Sequence, residues 1–235
     1  MVDKNLTRTK SEQGVDQFLR QVENAPIVKR NSAQARLLFA MDATASREPT
    51  WELARRLQSD MFMRVREVGG LDVQLLYFRG YAECKSSPWV SDPAELLRFM
   101  RSVRCEAGAT QIERVLQHAI RENQKKPIHA VVYVGDCVEE SVDLLGVSAG
   151  ELRLHNLPLF IFQEGNEPLA TQGFAQLAKV SGGAHCRFDH SSAEQLGALL
   201  NAAAIYATGG VSALKQFSLT QSASVKALLE QIESP

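Results

Sequence analysis

The sequence predicts an α/β fold, with a mainly parallel sheet and helices on both of its faces. Three observations lead there. Short apolar runs alternate along the chain with longer amphipathic stretches, the pattern of strand–helix–strand units. The runs at 36–41, 72–78, 128–134 and 157–162 are almost continuously apolar, as strands covered on both faces are. Glycines and prolines punctuate the chain between these segments, notably at Pro49, Gly69-Gly70, Gly80, Pro93, Gly182-Gly183 and Gly209-Gly210.

Residues 1–33 read as an N-terminal extension. Met1 to Gln13 is polar and has no apolar core of the kind a signal peptide carries. Val15, Phe18, Leu19 and Val22 recur at i, i+3, i+4 and i+7, which predicts a short helix ended by Pro26. Arg36 to Met41 is the first buried strand. Pro49 sits where a first helical turn tolerates it. Trp51, Leu53, Ala54, Leu57, Met61 and Val65 then keep helical periodicity up to Gly69-Gly70.

Asp72 to Phe78 is the second strand and Gly80 a turn. Ala82 to Val90, broken by Lys85, Ser86 and Pro88, suits a short antiparallel edge strand. Asp92-Pro93 opens a helix with Leu96, Leu97, Met100 and Val103 on one face. After a loop at 104–109, a further helix runs from about Gln111 to Gln124. Ile128 to Val134 is the next strand, and a helical segment covers about Val138 to Leu154. Leu157 to Phe162 is a strand, Leu169 to Val180 a helix, Ala184 to Phe188 a last strand. A helix at about Ala193 to Ala207 stops at Gly209-Gly210. The domain is thus expected over 34–210, with a tail at 211–235. In that tail Val225, Leu228, Leu229 and Ile232 outline one more short helix, expected to be mobile.

The chain has 235 residues, 45% of them hydrophobic, enough for one sizeable core. Its formal charge is -1, from 26 basic and 27 acidic residues, which argues against a nucleic-acid binder acting through bulk charge. No uninterrupted apolar run reaches the roughly 20 residues that span a bilayer. Four cysteines at wide spacing, with no CxxC pair, suit reduced thiols in the cytosol.

Function is sought beyond the carboxyl ends of the strands, where open α/β sheets bind ligands. Asp42 follows the first strand directly, with Thr44 and Ser46 at alternating positions after it. Asp136 follows the strand at 128–134, and Thr110 precedes a helix. Each has an ordinary structural use. Thr110-Gln111-Ile112-Glu113 matches a capping box, Asp136 can cap a helix, and Thr44 and Ser46 can satisfy loop amides. If the strands bearing Asp42 and Asp136 are neighbours, all three loops meet in one crevice. Oxygen ligands of this kind suit a hard cation such as Mg²⁺.

The set Asp42-x-Thr44-x-Ser46, then Thr110, then Asp136 resembles the metal-ion-dependent adhesion site of von Willebrand factor A domains, usually written DxSxS with a distant Thr and a distant Asp. The resemblance spans about Arg36 to Ala207 and is closest to intracellular bacterial single-domain members. Gly108 to Ile112 and Phe162 to Gly165 also resemble that group. Thr44 departs from the pattern by an added methyl group. Gly135-Asp136-Cys137 stands where many relatives read Thr-Asp-Gly.

The resemblance implies a Rossmann-like, doubly wound sheet with Mg²⁺, or Mn²⁺, at its top. Asp42, Thr44, Ser46, Thr110 and Asp136 are the implied ligands. It implies a cytoplasmic protein-binding module in which the ion takes an Asp or Glu from a partner, an AAA+ ATPase being one class of partner, with no nucleic acid or membrane involved. Arg47, Glu48 and Glu139 are expected at the surface, selecting the partner by charge, and the helix near Tyr206 is expected to shift.

The competing reading is a phosphoryl-transfer enzyme of the haloacid dehalogenase type using Asp42. Such enzymes resemble DxDx[TV] and need a second Asp as general acid. Position 44 is a threonine, which cannot serve as one at neutral pH. GxGxxG and GxxxxGK[ST] are both absent. The five histidines form no catalytic set, and Cys186, Asp189 and His190 fall short of the four ligands of a structural zinc site. The expectation is a binding module, not an enzyme.

Overall fold

A computed structural model describes residues 34–65, 70–188, 193–219 and 223–233. The extension at 1–33, with its expected helix from Val15, lies outside them, as do Asp189 and His190.

The sheet has six strands: β1 (Ala35–Asp42), β2 (Leu71–Arg79), β3 (Glu83–Ser86), β4 (Ala130–Gly135), β5 (Leu159–Glu164) and β6 (Ala184–Phe188). Their order is β3-β2-β1-β4-β5-β6, with every pair parallel except β2 with β3. The expected mainly parallel, Rossmann-like sheet with one antiparallel edge strand is what the chain forms. β1 and β4 are neighbours, pairing from Leu37↔Ala130 to Met41↔Val134. The chain winds outward from this pair in both directions, so the switch point lies between their carboxyl ends.

Strand alternation divides the core into two layers. Leu37, Phe39 and Met41 of β1, with Val132, Val134, Phe160 and Phe162, face one side. That side is covered by α1 (Glu48–Val65), α2 (Pro93–Ser102), α6 (Ala193–Ser218) and α7 (Ala223–Glu233). Leu38, Ala40, Val131, Tyr133 and Ile161 face the other, under α3 (Ile112–Lys125), α4 (Val142–Leu154) and α5 (Pro168–Ser181). Trp51 anchors α1, donating its indole N–H to the Met100 carbonyl at 3.0 Å. Asp92 caps α2 as its sequence suggests, accepting from the Ala94 amide at 2.8 Å.

The ordinary capping uses open to Thr110 and Asp136 are not taken up. Thr110 does not cap α3, because the preceding residue to the helix is Gln111 and its side chain makes no capping bond. The Glu140 carboxylate does that work from the β4–α4 loop, accepting from the Ile112 amide at 2.8 Å and the Glu113 amide at 2.9 Å. Asp136 caps no helix either: α4 begins at Val142, four residues later than the pattern from Val138 suggests.

The helix at 193 leaves the helical path at Gly209-Gly210, as the sequence suggests. Gly210 takes φ 68°, which breaks the helical path, yet the chain resumes it to Ser218. Beyond that kink Leu214 is fully buried, as are Val225 and Leu228 of α7. The described residues 211–219 and 223–233, expected as a tail, therefore pack within the same compact unit as the sheet. Residues Glu194–Ser218 are long and apolar enough to cross a membrane by length and composition. Half of their most apolar window is buried, with Leu196, Leu199 and Leu200 in the core on α1, as befits a core helix.

Candidate metal centre

Asp42 is the last residue of β1 and is 1% exposed. The strand pairs it with β2, and the next amide, of Ala43, bonds the Phe78 carbonyl at 2.9 Å. Its Oδ1 accepts from the Thr44 amide at 2.7 Å. Its Oδ2 is buried with no hydrogen-bond partner. Burial pushes this carboxyl up to about 6; the charge of Asp136 adds to that, while the Thr44 bonds and Arg47 oppose it. A desolvated carboxylate with an open oxygen is a group poised to gain from a cation.

The chain then makes a 3₁₀ turn, Ala45–Arg47, closed by the Arg47 amide on the Thr44 carbonyl at 2.9 Å. The loop bearing Thr110 is tied to the same strand ends. The Glu106 amide bonds the Ala43 carbonyl at 3.0 Å, and the Ala109 amide bonds the Gly80 carbonyl at 3.1 Å. Gly108 permits this approach, since a Cβ there would stand 2.0 Å from the Gly80 oxygen. Thr110 and Glu139 then lock two loops reciprocally: the Thr110 amide donates to Glu139 Oε2 at 2.7 Å, and the Glu139 amide donates to Thr110 Oγ1 at 3.1 Å.

A pocket of about 280 Å³ opens between these loops, lined among others by Asp42, Thr44, Ser46, Thr110, Cys137 and Glu139. Four of the five expected ligands thus share one cavity. Asp136 is not among the lining residues but precedes Cys137, which is, and its charge acts on Asp42. Its Oδ2 lies 3.2 Å from Arg47 Nη2, and its Oδ1 is buried without a partner. Cys137 lines the pocket as a half-buried thiol, pushed up to about 12 by burial and by the neighbouring Asp136, and so stays protonated.

The donors fit a hard divalent cation. Two buried carboxylate oxygens, on Asp42 and Asp136, lack partners, and three hydroxyl residues line the pocket with Asp42. No group of three or more His, Cys, Asp or Glu side chains among the described residues could hold a metal, so an ion here depends on the hydroxyls. Cys186, buried in the core, is far from such a role; its thiol is also pushed up to about 12 by burial.

Sequence reasoning misplaced Arg47. It was expected at the surface, but its side chain is buried between Asp136 and Glu164, the last residue of β5. Thr50 Oγ1 of α1 also donates to Glu164. Glu164 and Glu140 were not singled out as site residues at all. The signal for both was weak: an acidic residue at a strand end or in a loop is ordinarily solvated. Glu48 is exposed as expected, and its carboxylate accepts from the Cys105 amide at 3.3 Å.

The structure is similar to that of an aerotolerance-related membrane protein from Bacteroides fragilis, with TM-score 0.55 and 16% identity, over 72% of this chain and 98% of that one. It is similar to the SpRpn10 VWA domain, with TM-score 0.54 and 17% identity, over 72% and 95% of the two chains. A von Willebrand factor type A protein from Catenulispora acidiphila matches with TM-score 0.58 and 13% identity, over 75% of this chain and 43% of its own. No family model and no curated protein matches the sequence. At these identities the likeness is one of fold: the chain has the fold of von Willebrand factor A domains.

Proposed function

We propose that this domain is a metal-dependent protein-binding module and not an enzyme. Asp42, Thr44, Ser46, Thr110 and Asp136 would hold Mg²⁺, or Mn²⁺, and the bound ion would capture an Asp or Glu carboxylate of a partner protein. The observation that carries this reading is the pair of buried, unpartnered carboxylate oxygens on Asp42 and Asp136, at the ends of adjacent parallel strands, with Asp42 sharing its pocket with the three hydroxyl residues.

A divalent ion supplies positive charge and an open coordination position for an incoming carboxylate. The chain's own residues do the rest. Asp42 offers Oδ2 because Thr44 occupies Oδ1. Thr44, Ser46 and Thr110 contribute oxygen without adding negative charge, so attraction for an outside carboxylate is retained. Glu139 fixes Thr110 by two backbone bonds, and it lines the mouth through which a partner would enter. The partner is expected in a cytoplasmic multi-protein assembly, an AAA+ ATPase being one class that fits.

Calorimetric titration with Mg²⁺ and Mn²⁺ tests the site. Wild type should bind one ion, Asp42→Ala none, and Thr110→Ala more weakly. Equal binding by wild type and Asp42→Ala would overturn the assignment. Turnover of phosphate esters that vanishes in Asp42→Asn would overturn the non-enzymatic reading.

A further inference from the structure

Arg47 follows Ser46 in the chain, and its guanidinium turns under the loops instead of out to solvent; its side chain is 9% exposed. Three oxygen-bearing groups surround it. Nη2 lies 3.2 Å from Asp136 Oδ2, Nη1 pairs with the Glu164 carboxylate, and Nε lies 3.5 Å from Ser46 Oγ. Asp136 and Ser46 are two of the five residues assigned to the ion. Glu164 is 8% exposed and is not among them; Thr50 holds it in place.

A guanidinium keeps its charge at any relevant pH, and buried carboxylates require a cation. Arg47 therefore already meets, from within the chain, part of the negative charge a divalent ion would meet. An ion brought to Asp136 is repelled by the Arg47 guanidinium, which lies 3.2 Å from that carboxylate. The Glu164 carboxylate offers the guanidinium a second seat that costs the fold little movement.

Resting on the metal-site reading above, we propose that Arg47 is a built-in competitor of the divalent ion, sharing Asp136 with it and retreating to Glu164 alone when the ion enters. Metal affinity is then low until a partner's carboxylate arrives, because that carboxylate brings the negative charge that offsets Arg47. Ion and partner bind with positive coupling, each raising the affinity of the other by the same factor. The opposite role, in which Arg47 holds Asp136 in position for the ion, predicts the opposite sign on removal.

Mn²⁺ titration, read by calorimetry and by the electron paramagnetic resonance of free Mn²⁺, decides between them. The proteins are wild type and the double variant Arg47→Met with Glu164→Gln, which removes the buried Arg47–Glu164 pair together and leaves Asp136 to the ion. The double variant should bind Mn²⁺ about tenfold or more tightly than wild type. Equal or weaker binding by the double variant overturns the competition, while wild-type binding lost in Asp42→Ala leaves the site assignment standing. Binding by the double variant alone supports the competition: wild-type affinity is then too low to read without a partner's carboxylate. No binding by either overturns both. Should circular dichroism show the double variant unfolded, side-chain ¹⁵N NMR of wild type decides instead. The Arg47 Nε signal, assigned by its loss in Arg47→Lys, should move as Mg²⁺ is added; an unmoved signal overturns the proposal.

Discussion

The loops after β1 and β4 both start from an aspartate at the end of a central strand, and the fold treats the two carboxylates differently. Asp42 is sealed in. It receives an amide from Thr44 and, among the described residues, no hydrogen bond from an arginine or lysine, so burial dominates and pushes its carboxyl up to about 6. Asp136 is nearer solvent, with a side chain 27% exposed, and it is paired with Arg47 from the β1 loop. Two acids at equivalent strand ends thus carry unequal burdens: the charge of one is met inside the chain, and that of the other is left for something else to meet.

The largest expected effect comes from removing the anchor of that internal pair. Glu164→Ala leaves the buried guanidinium with Asp136 alone and frees Thr50, and should cost roughly 3 kcal/mol in urea unfolding. A loss below about 1 kcal/mol would place the pair among ordinary surface ion pairs and erase the contrast between the loops.

Asp42 should behave with the opposite sign. Its carboxyl is raised from 3.8 to about 6 in the fold, so the folded state holds the proton more tightly than the unfolded one. The penalty for ionising it is absent below about pH 4, grows between pH 4 and 6, and is fully present above pH 6. With EDTA present, Asp42→Asn should therefore stabilise the protein by roughly 2 kcal/mol above pH 6 and change little below pH 4. Equal effects at pH 4 and pH 7 would show that Asp42 is already neutralised. Ion binding by wild type should likewise weaken as pH falls below 6, because protonated Asp42 no longer offers a charged oxygen.

A smaller effect tests whether the β4 loop's other acids are structural. Glu140 accepts from two amides at the start of α3, so Glu140→Gln should cost about 1 kcal/mol and loosen the helix start. Hydrogen exchange at Ile112 and Glu113 should rise. Unchanged protection there would mean the helix start is held by packing alone.

Much of the fold was legible because its signals are local. The apolar runs that became β1, β2, β4 and β5 needed only strand length and continuous apolarity to be read. Asp92-Pro93 marked a helix start through its own side chain. Gly209-Gly210 is a local stop signal of the same kind: Gly210 leaves the helical path, and a second helical stretch beyond it carries Leu214 into the core. The cap of α3 was not legible, because its carboxylate comes from Glu140, outside the helix's own stretch of sequence.

By itself the sequence determined that the chain would form alternating strands and helices, that Asp42 and Asp136 would end strands, and that hydroxyls would stand on the loops near them. Periodicity and turn chemistry act within a few residues, and those few residues were in view. Only the tertiary structure decided that β1 and β4 are neighbours, that Thr110 is tied to Glu139, and that Arg47 is buried between Asp136 and Glu164. A charged side chain goes to water unless distant groups gather to pair it, and here those groups come from two other strands, 89 and 117 positions further along the chain.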